Sequence, residues 1–221
     1  MTVIVLLGGP GAGKGTQAAR LAERLGFAHV ATGDLFRAAV RDGSPIGQEA
    51  RRYMERGQLV PDEITIKMLL GRLAARDAAA GVILDGFPRN RAQAEALDGA
   101  LAAKDARVDV AVSIEVPSDE LVRRLSGRWV CRDAGHPYHE VSHPPKVAGH
   151  CDLDGSPLVQ RDDDKAETIR ARMALQLSSL RDVVAYYRTT GVLRPVDGQA
   201  PIDVVAESVL AAVRDDPVGA R

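Results

Sequence analysis

Residues 8–16 read GGPGAGKGT and follow an apolar, β-branched run, Thr2–Leu7. A run that is apolar at every position is typical of a strand buried on both faces of a parallel sheet. A helical pattern comes next, so the glycines would let backbone N–H groups converge on a phosphate, with Lys14 adding charge. Gly15 stands where Ser or Thr usually follows the lysine, and Thr16 supplies the hydroxyl one place later. The stretch predicts a phosphate-binding loop; a glycine-rich turn of the dinucleotide-binding type is the alternative.

Strand-like and helical patterns alternate along most of the chain. This alternation predicts βαβ units and an α/β fold, a P-loop NTPase-type parallel sheet flanked by helices. Residues 128–164 interrupt it with prolines, glycines and little periodicity, which is typical of a lid or a small inserted domain. The predicted strands span residues 2–7, 28–31, 81–85, 108–116 and 192–196. The predicted helices span residues 17–25, 33–41, 45–56, 62–80, 93–103, 117–126, 168–187 and 202–213.

The composition is ordinary for a globular chain and argues against several classes of protein. The chain has 221 residues, 45% hydrophobic and 27% charged, which is enough for a sizeable core. No uncharged apolar run approaches the ~18 residues of a membrane span, and the first residues show no secretory signal. A net charge of -1 argues against a general nucleic-acid coat. We therefore expect a cytoplasmic protein without a membrane or nucleic-acid partner.

Taken together, five strings in this sequence resemble adenylate kinase of the long-lid bacterial type, a nucleoside-monophosphate kinase. The resemblance runs from residue 2 to about residue 213. It implies reversible phosphoryl transfer from MgATP to AMP giving two ADP, adenine nucleotide homeostasis, and a closing lid that excludes water. The strings are GGPGAGKGT (8–16), ATGDLFR (31–37), GQLVPDE (57–63), LDGFPR (84–89) and QRDDDKAETIRAR (160–172).

The resemblance also implies a division of the chain into three parts. Residues 1–31, 62–127 and 165–221 would form the core P-loop domain. Residues 32–61 would form an AMP-binding flap, and residues 128–164 the lid. We expect a monomer, because no long apolar stripe demands a partner.

Phosphoryl transfer depends on positioning and charge neutralisation, so the implied catalytic residues are cations. Arg124 and Arg128 are four residues apart and would share a face of a continuing helix. Arg161 and Arg172 are about three turns apart and could face one centre if their helix starts early. Asp163 and Asp164, between them, resemble the lid hinge, and the acidic run Asp162–Asp164 also suits a helix N-terminus. The implied catalytic set is Lys14, Arg37, Arg89, Arg128, Arg161 and Arg172.

The family's nucleotide contacts carry over to matching positions here. Asp85 would anchor Mg²⁺ through water, and Gln93 offers a donor and an acceptor that suit the N1/N6 edge of adenine. Thr32 would lie near the AMP base. The implied ATP-binding residues are Gly11, Ala12, Gly13, Lys14, Gly15, Thr16, Arg124, Arg128, Tyr138 and Gln199. The implied AMP-binding residues are Thr32, Gly33, Arg37, Leu59, Val60, Gly86, Arg89, Gln93, Arg161 and Arg172.

Both cysteines, four of the five histidines and the only tryptophan fall within residues 129–151. Long-lid relatives often bind structural zinc there through Cys-x-x-Cys followed by Cys-x-x-Cys or Cys-x-x-Asp. Here Ala134 stands at the second ligand position, so Cys131, Cys151 and Asp154 form an incomplete set of three. A structural zinc site has four ligands.

A fourth ligand could come from a residue outside the family frame, namely Asp133, His136 or His150. A structural zinc is therefore possible but not favoured. We expect two packed thiols in a hydrogen-bonded lid instead. A disulfide is disfavoured in a reducing compartment.

Other functions fit parts of the sequence. A kinase for another nucleoside monophosphate, or a GTP-dependent AMP kinase, would share most of these motifs. A P-loop regulatory ATPase would hydrolyse ATP without an acceptor nucleotide. A nucleic-acid binder with a zinc knuckle would need a basic surface and four ligands. A GTPase is disfavoured because no Asn-Lys-x-Asp string is present.

Overall fold

The computed structural model describes residues 1–161, 164 and 166–214. Strands and helices alternate through most of this range, as predicted. In chain order the strands are β1 (Thr2–Leu7), β2 (Ala28–Ala31), β3 (Gly81–Asp85), β4 (Val110–Glu115), β5 (Arg128–Cys131), β6 (Pro137–His139), β7 (Leu158–Val159) and β8 (Leu193–Asp197). The helices are α1 (Lys14–Leu25), α2 (Thr32–Arg41), α3 (Pro45–Met54), α4 (Asp62–Leu73), α5 (Arg91–Ala102), α6 (Ser118–Ser126), α7 (Ala166–Thr189) and α8 (Ile202–Arg214).

Five strands form one parallel sheet in the order β2-β3-β1-β4-β8. Leu6 of β1 and Ala31 of β2 both pair with Asp85 of β3. The carboxyl ends of these three strands therefore meet at one edge, where open α/β sheets place ligands. The predicted α/β class and parallel sheet are confirmed.

The apolar run of β1 reflects burial on both sides of the sheet. Ile4 and Leu6 pack into a cluster with residues of α1 and α8. Val3, Val5 and Leu7 pack on the opposite face with residues of α4, α5 and α7. Because neighbouring side chains of a strand point to opposite faces, a strand between two helical layers must be apolar at every position.

Two parts of the fold differ from the prediction. The helix predicted over residues 62–80 ends at Leu73, and a short 3-10 helix follows at Arg76–Ala78. Ala75 between them is extended, with φ -71° and ψ 149°, in an alanine-rich stretch that carries no helix-breaking residue. Within residues 128–164, β6, β5 and β7 form a small antiparallel sheet. These strands were not predicted, because they are too short to show an alternation of apolar and polar residues.

No helix among the described residues is long and apolar enough to span a membrane.

Candidate active site

The glycine-rich stretch forms a loop between β1 and α1. Gly13 lies at the start of α1 with φ 88°, a left-handed conformation that favours glycine. The Lys14 Nζ donates hydrogen bonds of 2.9 Å to the carbonyl oxygens of Gly8 and Gly9. Because glycine brings no capping side chain, the first N–H groups of α1 remain for an anion. A strand, this loop and a helix N-terminus are the context that a phosphate-binding loop requires.

The structure gives a physical reason for the glycine after the lysine. A Cβ atom added at Gly15 would lie 3.2 Å from the Asp85 Oδ2. Glycine therefore leaves room for a carboxylate directly beside the phosphate loop.

Asp85 ends β3, and its carboxyl lies among cations. Burial by itself would raise the pKa of this carboxyl. The His29 imidazole and the charges of Lys14 and Arg89 outweigh burial and hold the pKa below its ordinary value. Asp85 is therefore ionised. Hydrated Mg²⁺ binds carboxylates that lie beside phosphates.

His29 was missed by the sequence analysis. Its Nε2 is buried, lies 3.5 Å from the Asp85 Oδ2 and has no hydrogen-bond partner within the usual geometric limits among the described residues. The signal for it was weak: it is the one histidine outside the lid segment, and it lies in a strand next to β3.

A second group of predicted residues lies at the same sheet edge. The Thr32 hydroxyl donates to the Gly86 carbonyl oxygen at 2.8 Å, and the Arg89 Nε donates to the same oxygen at 2.7 Å. Gly86 has φ 72°, and a Cβ there would lie 3.0 Å from an Arg89 nitrogen. Gln93 lies just beyond, and its Oε1 accepts from the Arg89 backbone N–H at 2.8 Å. The structure thus brings these four residues together.

Arg37 and Arg161 meet at one carboxylate. The Arg37 guanidinium donates to the Asp34 Oδ1 at 2.6 Å, and the Arg161 Nη2 lies 3.9 Å from that oxygen. Arg37 folds over Gly33, where a Cβ would lie 2.9 Å from a guanidinium nitrogen. A segment before α7 therefore reaches α2 through opposite charges.

Leu59 and Val60 lie between α3 and α4. Val60 is buried with Phe36 of α2 and Ala50 of α3, whereas Leu59 is half-buried. Val60 is therefore part of the apolar packing between α2 and α3, which residues of α4 also join.

The conditions set for the two helical arrangements of arginines are not met. Because α6 ends at Ser126, Arg124 and Arg128 do not share a helix. Because α7 begins at Ala166, Arg161 precedes it, and the side chain of Arg172 lies outside the described residues. Asp163 of the predicted hinge also lies outside them, as does Asp162 of the acidic run, whereas Asp164 is described.

Arg128 is held by a buried carboxylate. Its Nε donates to the Asp164 Oδ2 at 2.6 Å and its Nη2 to the Oδ1 at 2.5 Å. The Asp164 side chain is 0% exposed and the Arg128 side chain 22%. Such a two-pronged pair fixes the direction of the guanidinium.

Arg124 lies on α6 beside the end of β8. It donates to the Glu120 carboxylate at 2.7 Å and to the Gly198 carbonyl oxygen at 3.0 Å. Hydrogen bonds from Arg123 and Arg124 lower the pKa of Glu120 to about 2. This contact places Arg124 next to Gln199, which is exposed and borders a cavity of about 450 Å³ at the carboxyl ends of β4 and β8.

Tyr138 lies inside the lid. It is 5% exposed, and its hydroxyl accepts from the Asp152 N–H at 2.7 Å and donates to the Cys151 sulfur at 3.4 Å. A contact of this residue with ATP would have to use its backbone or ring edge, since the hydroxyl is committed to the lid core.

Four donor groups meet in the lid. Cys131, His136, Cys151 and Asp154 each offer one ligand atom, and these atoms lie within 4.8 Å of one another. The His136 Nδ1 is 3.3 Å from the Cys151 sulfur and 3.5 Å from the Asp154 Oδ2. The Cys131 sulfur is 3.1 Å from the same carboxylate oxygen. Of the three residues considered for the fourth position, His136 is therefore the one that lies with Cys131, Cys151 and Asp154.

The two cysteines lie in similar turns. The Ala134 N–H donates to the Cys131 sulfur and the Leu153 N–H to the Cys151 sulfur. In each turn, the glycine four residues after the cysteine donates to the cysteine carbonyl oxygen at 2.9 Å. Neither cysteine forms a disulfide.

Comparisons with known proteins support this assembly of motifs. The sequence profile of the family described as "Adenylate kinase" matches residues 6–192. The adenylate kinase of Exiguobacterium sibiricum is 49% identical over 208 residues, which is 94% of this chain and 97% of the relative. That of Thermodesulfovibrio yellowstonii is 48% identical over 208 residues, with the same shares. That of Streptomyces griseus is 48% identical over 215 residues, 96% of this chain and 98% of the relative. These matches show that the chain belongs to the adenylate kinase family and is a nucleotide-binding kinase of the transferase class.

Proposed function

We propose that the chain catalyses MgATP + AMP ⇌ 2 ADP and so balances the adenine nucleotides of the cell. One observation carries the proposal: the phosphate loop and the Thr32–Gly86–Arg89 group meet at Asp85. A Cβ on Gly15 of the loop would lie 3.2 Å from the Asp85 Oδ2, and Gly86, whose carbonyl oxygen accepts from Thr32 and Arg89, directly follows Asp85. A donor phosphate on the loop and an acceptor phosphate on Arg89 would therefore be neighbours.

The proposed catalytic residues act by position and charge. Lys14 would hold the transferred phosphoryl group, Arg37 and Arg89 the AMP phosphate, and Arg128, Arg161 and Arg172 would neutralise charge from the lid side. Arginine suits this work because its planar fork binds phosphate oxygens in pairs. A general base is not required, because the acceptor is already a phosphate oxygen.

The residues around Asp85 suit a hydrated magnesium ion. Magnesium keeps several waters beside phosphates and uses one or two carboxylates. Asp85 is an ionised carboxylate next to the phosphate loop, so it would hold the ion through water. The chemistry that the ion would supply there is neutralisation of charge on the phosphate oxygens.

We also propose the three-part division: a core of residues 1–31, 62–127 and 165–221, a flap of residues 32–61 and a lid of residues 128–164. The division is supported by the kind of contact that joins the flap to the lid, since the two contacts described are polar. The Arg41 guanidinium donates to the Asp133 carbonyl oxygen at 3.3 Å, and Arg161 reaches Asp34. The first contact is exposed, and in the second the Asp34 side chain is 61% exposed and that of Arg161 19%. Polar contacts that water can reach suit a lid that opens for substrate and closes to exclude water.

The proposed setting is a monomer in the cytoplasm. Each proposed site residue comes from one chain, so the site does not need a second copy. Two buried free thiols suit a reducing compartment.

A donor-by-acceptor panel tests the reaction. We expect ATP with AMP to give ADP faster than any other pairing of ATP or GTP with AMP, CMP, UMP or GMP. Hydrolysis of ATP without an acceptor should be slow by comparison. Preference for another monophosphate would favour the related-kinase alternative, preference for GTP a GTP-dependent AMP kinase, and acceptor-independent hydrolysis a regulatory ATPase.

We further propose that the lid binds one structural zinc through Cys131, His136, Cys151 and Asp154. Thiolate, imidazole and carboxylate are the ligands that zinc takes, and a structural site has four. Donors about 2.0–2.3 Å from one tetrahedral ion are roughly 3.3–3.8 Å apart. The close pairs here are 3.1 to 3.5 Å apart, so small shifts suffice.

Chain geometry supports His136 as the substitute for the missing ligand. Ala134 and Asp154 occupy the same place in the two similar turns, three residues after a cysteine. Alanine has no donor atom in its side chain. His136, two residues later, brings its Nδ1 to the Cys151 sulfur instead.

Metal analysis tests the zinc site. Protein purified without added zinc should carry about one equivalent, and a chelator should lower its melting temperature, because an ion bound only to the folded state stabilises it. His136→Ala should abolish both effects. His150→Ala is the matched control, since this exposed lid histidine bonds a backbone oxygen rather than the cluster. Wild-type protein without zinc and without a chelator effect would instead support packed thiols.

A further inference from the structure

A network of half-buried side chains surrounds the buried Gln93 where α4 and α5 begin. The Gln93 Nε2 donates to the Asp62 Oδ1 at 2.7 Å, and its Oε1 accepts from the Arg89 backbone N–H at 2.8 Å. The Asn90 Nδ2 donates to both Asp62 oxygens at 2.9 and 3.0 Å. Gln93 itself is 1% exposed. The half-buried carboxylate of Asp62 therefore accepts hydrogen bonds from two side-chain amides.

These partners fix which end of the Gln93 amide is oxygen and which is nitrogen. A backbone N–H such as that of Arg89 can only donate, and a carboxylate such as that of Asp62 can only accept. Turning the amide over would set donor against donor and acceptor against acceptor. One N–H and one lone pair of the amide remain for a ligand.

Purine bases present one of two hydrogen-bonding patterns along the edge formed by N1 and the substituent at C6. Adenine accepts at N1 and donates from its N6 amino group. A 6-oxopurine such as guanine or hypoxanthine donates from N1 and accepts at O6. The fixed amide matches adenine, with Nε2 to N1 and Oε1 to N6, whereas a 6-oxopurine needs the opposite orientation.

We infer that Asp62 is a specificity-determining positioning residue, whose carboxylate holds the Gln93 amide in the orientation that accepts a 6-aminopurine monophosphate and rejects a 6-oxopurine one. The inference rests on the proposed function, in which Gln93 contacts the base of the acceptor. The inference adds that Asp62, which does not contact the base itself, sets the preference between the two kinds of purine by orienting Gln93. A site with fixed hydrogen-bonding groups rejects a mismatched base because its own buried polar groups would lose their partners.

The test compares Asp62→Asn with the wild type on AMP and on IMP, at saturating MgATP. IMP keeps the purine shape of AMP but has the donor and acceptor exchanged. Asparagine can donate as well as accept, so of the two contacts that fix the Gln93 amide only that with the Arg89 N–H still opposes its turning over. We expect the AMP-to-IMP ratio of kcat/KM to fall about tenfold, the KM for ATP to stay unchanged, and Asp62→Glu, which keeps a carboxylate, to retain most of the ratio.

Glu63→Gln is the matched control. Glu63 is exposed, lies in the same first turn of α4, and has the same favourable position near the helix N-terminus. Its substitution should leave the AMP-to-IMP ratio unchanged. If Asp62→Asn lowers activity on both nucleotides in proportion, Asp62 only supports the fold and the inference is wrong.

Two further outcomes separate this inference from the proposed function. Wild-type enzyme that favours a pyrimidine monophosphate would overturn the proposed function itself. Wild-type enzyme that favours AMP over IMP, with an unchanged ratio in Asp62→Asn, would overturn the inference alone. Asp62→Ser, which suits a helix start and lacks the carboxylate, gives the same comparison if the asparagine variant does not fold.

Discussion

Lys14→Met should lower kcat for ADP formation by about 10³-fold or more, with little change in the melting temperature. The Nζ of Lys14 lies inside the phosphate loop, within 2.9 Å of two backbone oxygens. A cation that meets transferring phosphate oxygens contributes a rate factor of about 10³ to 10⁵ in comparable enzymes. Steady-state assays in both directions, with saturating MgATP and AMP or with MgADP, measure the loss.

Lys104→Met is the matched control, because the same charge is removed from an exposed turn after α5. Its rate should equal that of the wild type within about twofold, the range expected of a surface change. A Lys14→Met variant with more than a tenth of wild-type turnover would contradict the assigned role, as would an equal loss in Lys104→Met.

Arg128→Ala should lower both turnover and stability. Loss of a phosphate-neutralising cation should cost about 10³-fold in kcat. The Asp164 carboxylate would remain buried without its two-pronged partner, and breaking a buried pair costs about 3 kcal/mol or more. We expect the low end, because the Arg128 side chain is 22% exposed. For a chain of this size the melting temperature would fall by about 6–12 °C.

A double variant separates the two effects. The double variant Arg128→Ala with Asp164→Ala also removes the carboxylate that pairs with Arg128. It should therefore regain part of the stability but none of the turnover. Arg123→Ala, which removes an exposed arginine paired with Glu120 on α6, should leave the melting temperature close to that of the wild type, because exposed ion pairs contribute little. Recovery of turnover in the double variant would show that Arg128 acts only as the partner of Asp164.

The phosphate loop and the parallel sheet could be predicted because their signals are local. Glycine spacing, a lysine at a helix start and an unbroken apolar strand act within a few residues, so they appear in the sequence as they act in the fold. The residues at which helices begin and end could be predicted less accurately. The extended Ala75 ends a helical pattern without a glycine or proline, and α7 begins at Ala166, two residues before its predicted start.

The sequence by itself determined the strand–loop–helix unit, the α/β class and the family. Only the tertiary structure decided that His136 completes the donor set with Cys151, that Arg128 is paired with Asp164, and that Asp62 faces Gln93. The paired residues are 15, 36 and 31 positions apart, respectively. Spacing predicts contacts within one helix or strand, whereas these contacts form where separate segments pack together, and packing depends on the whole chain.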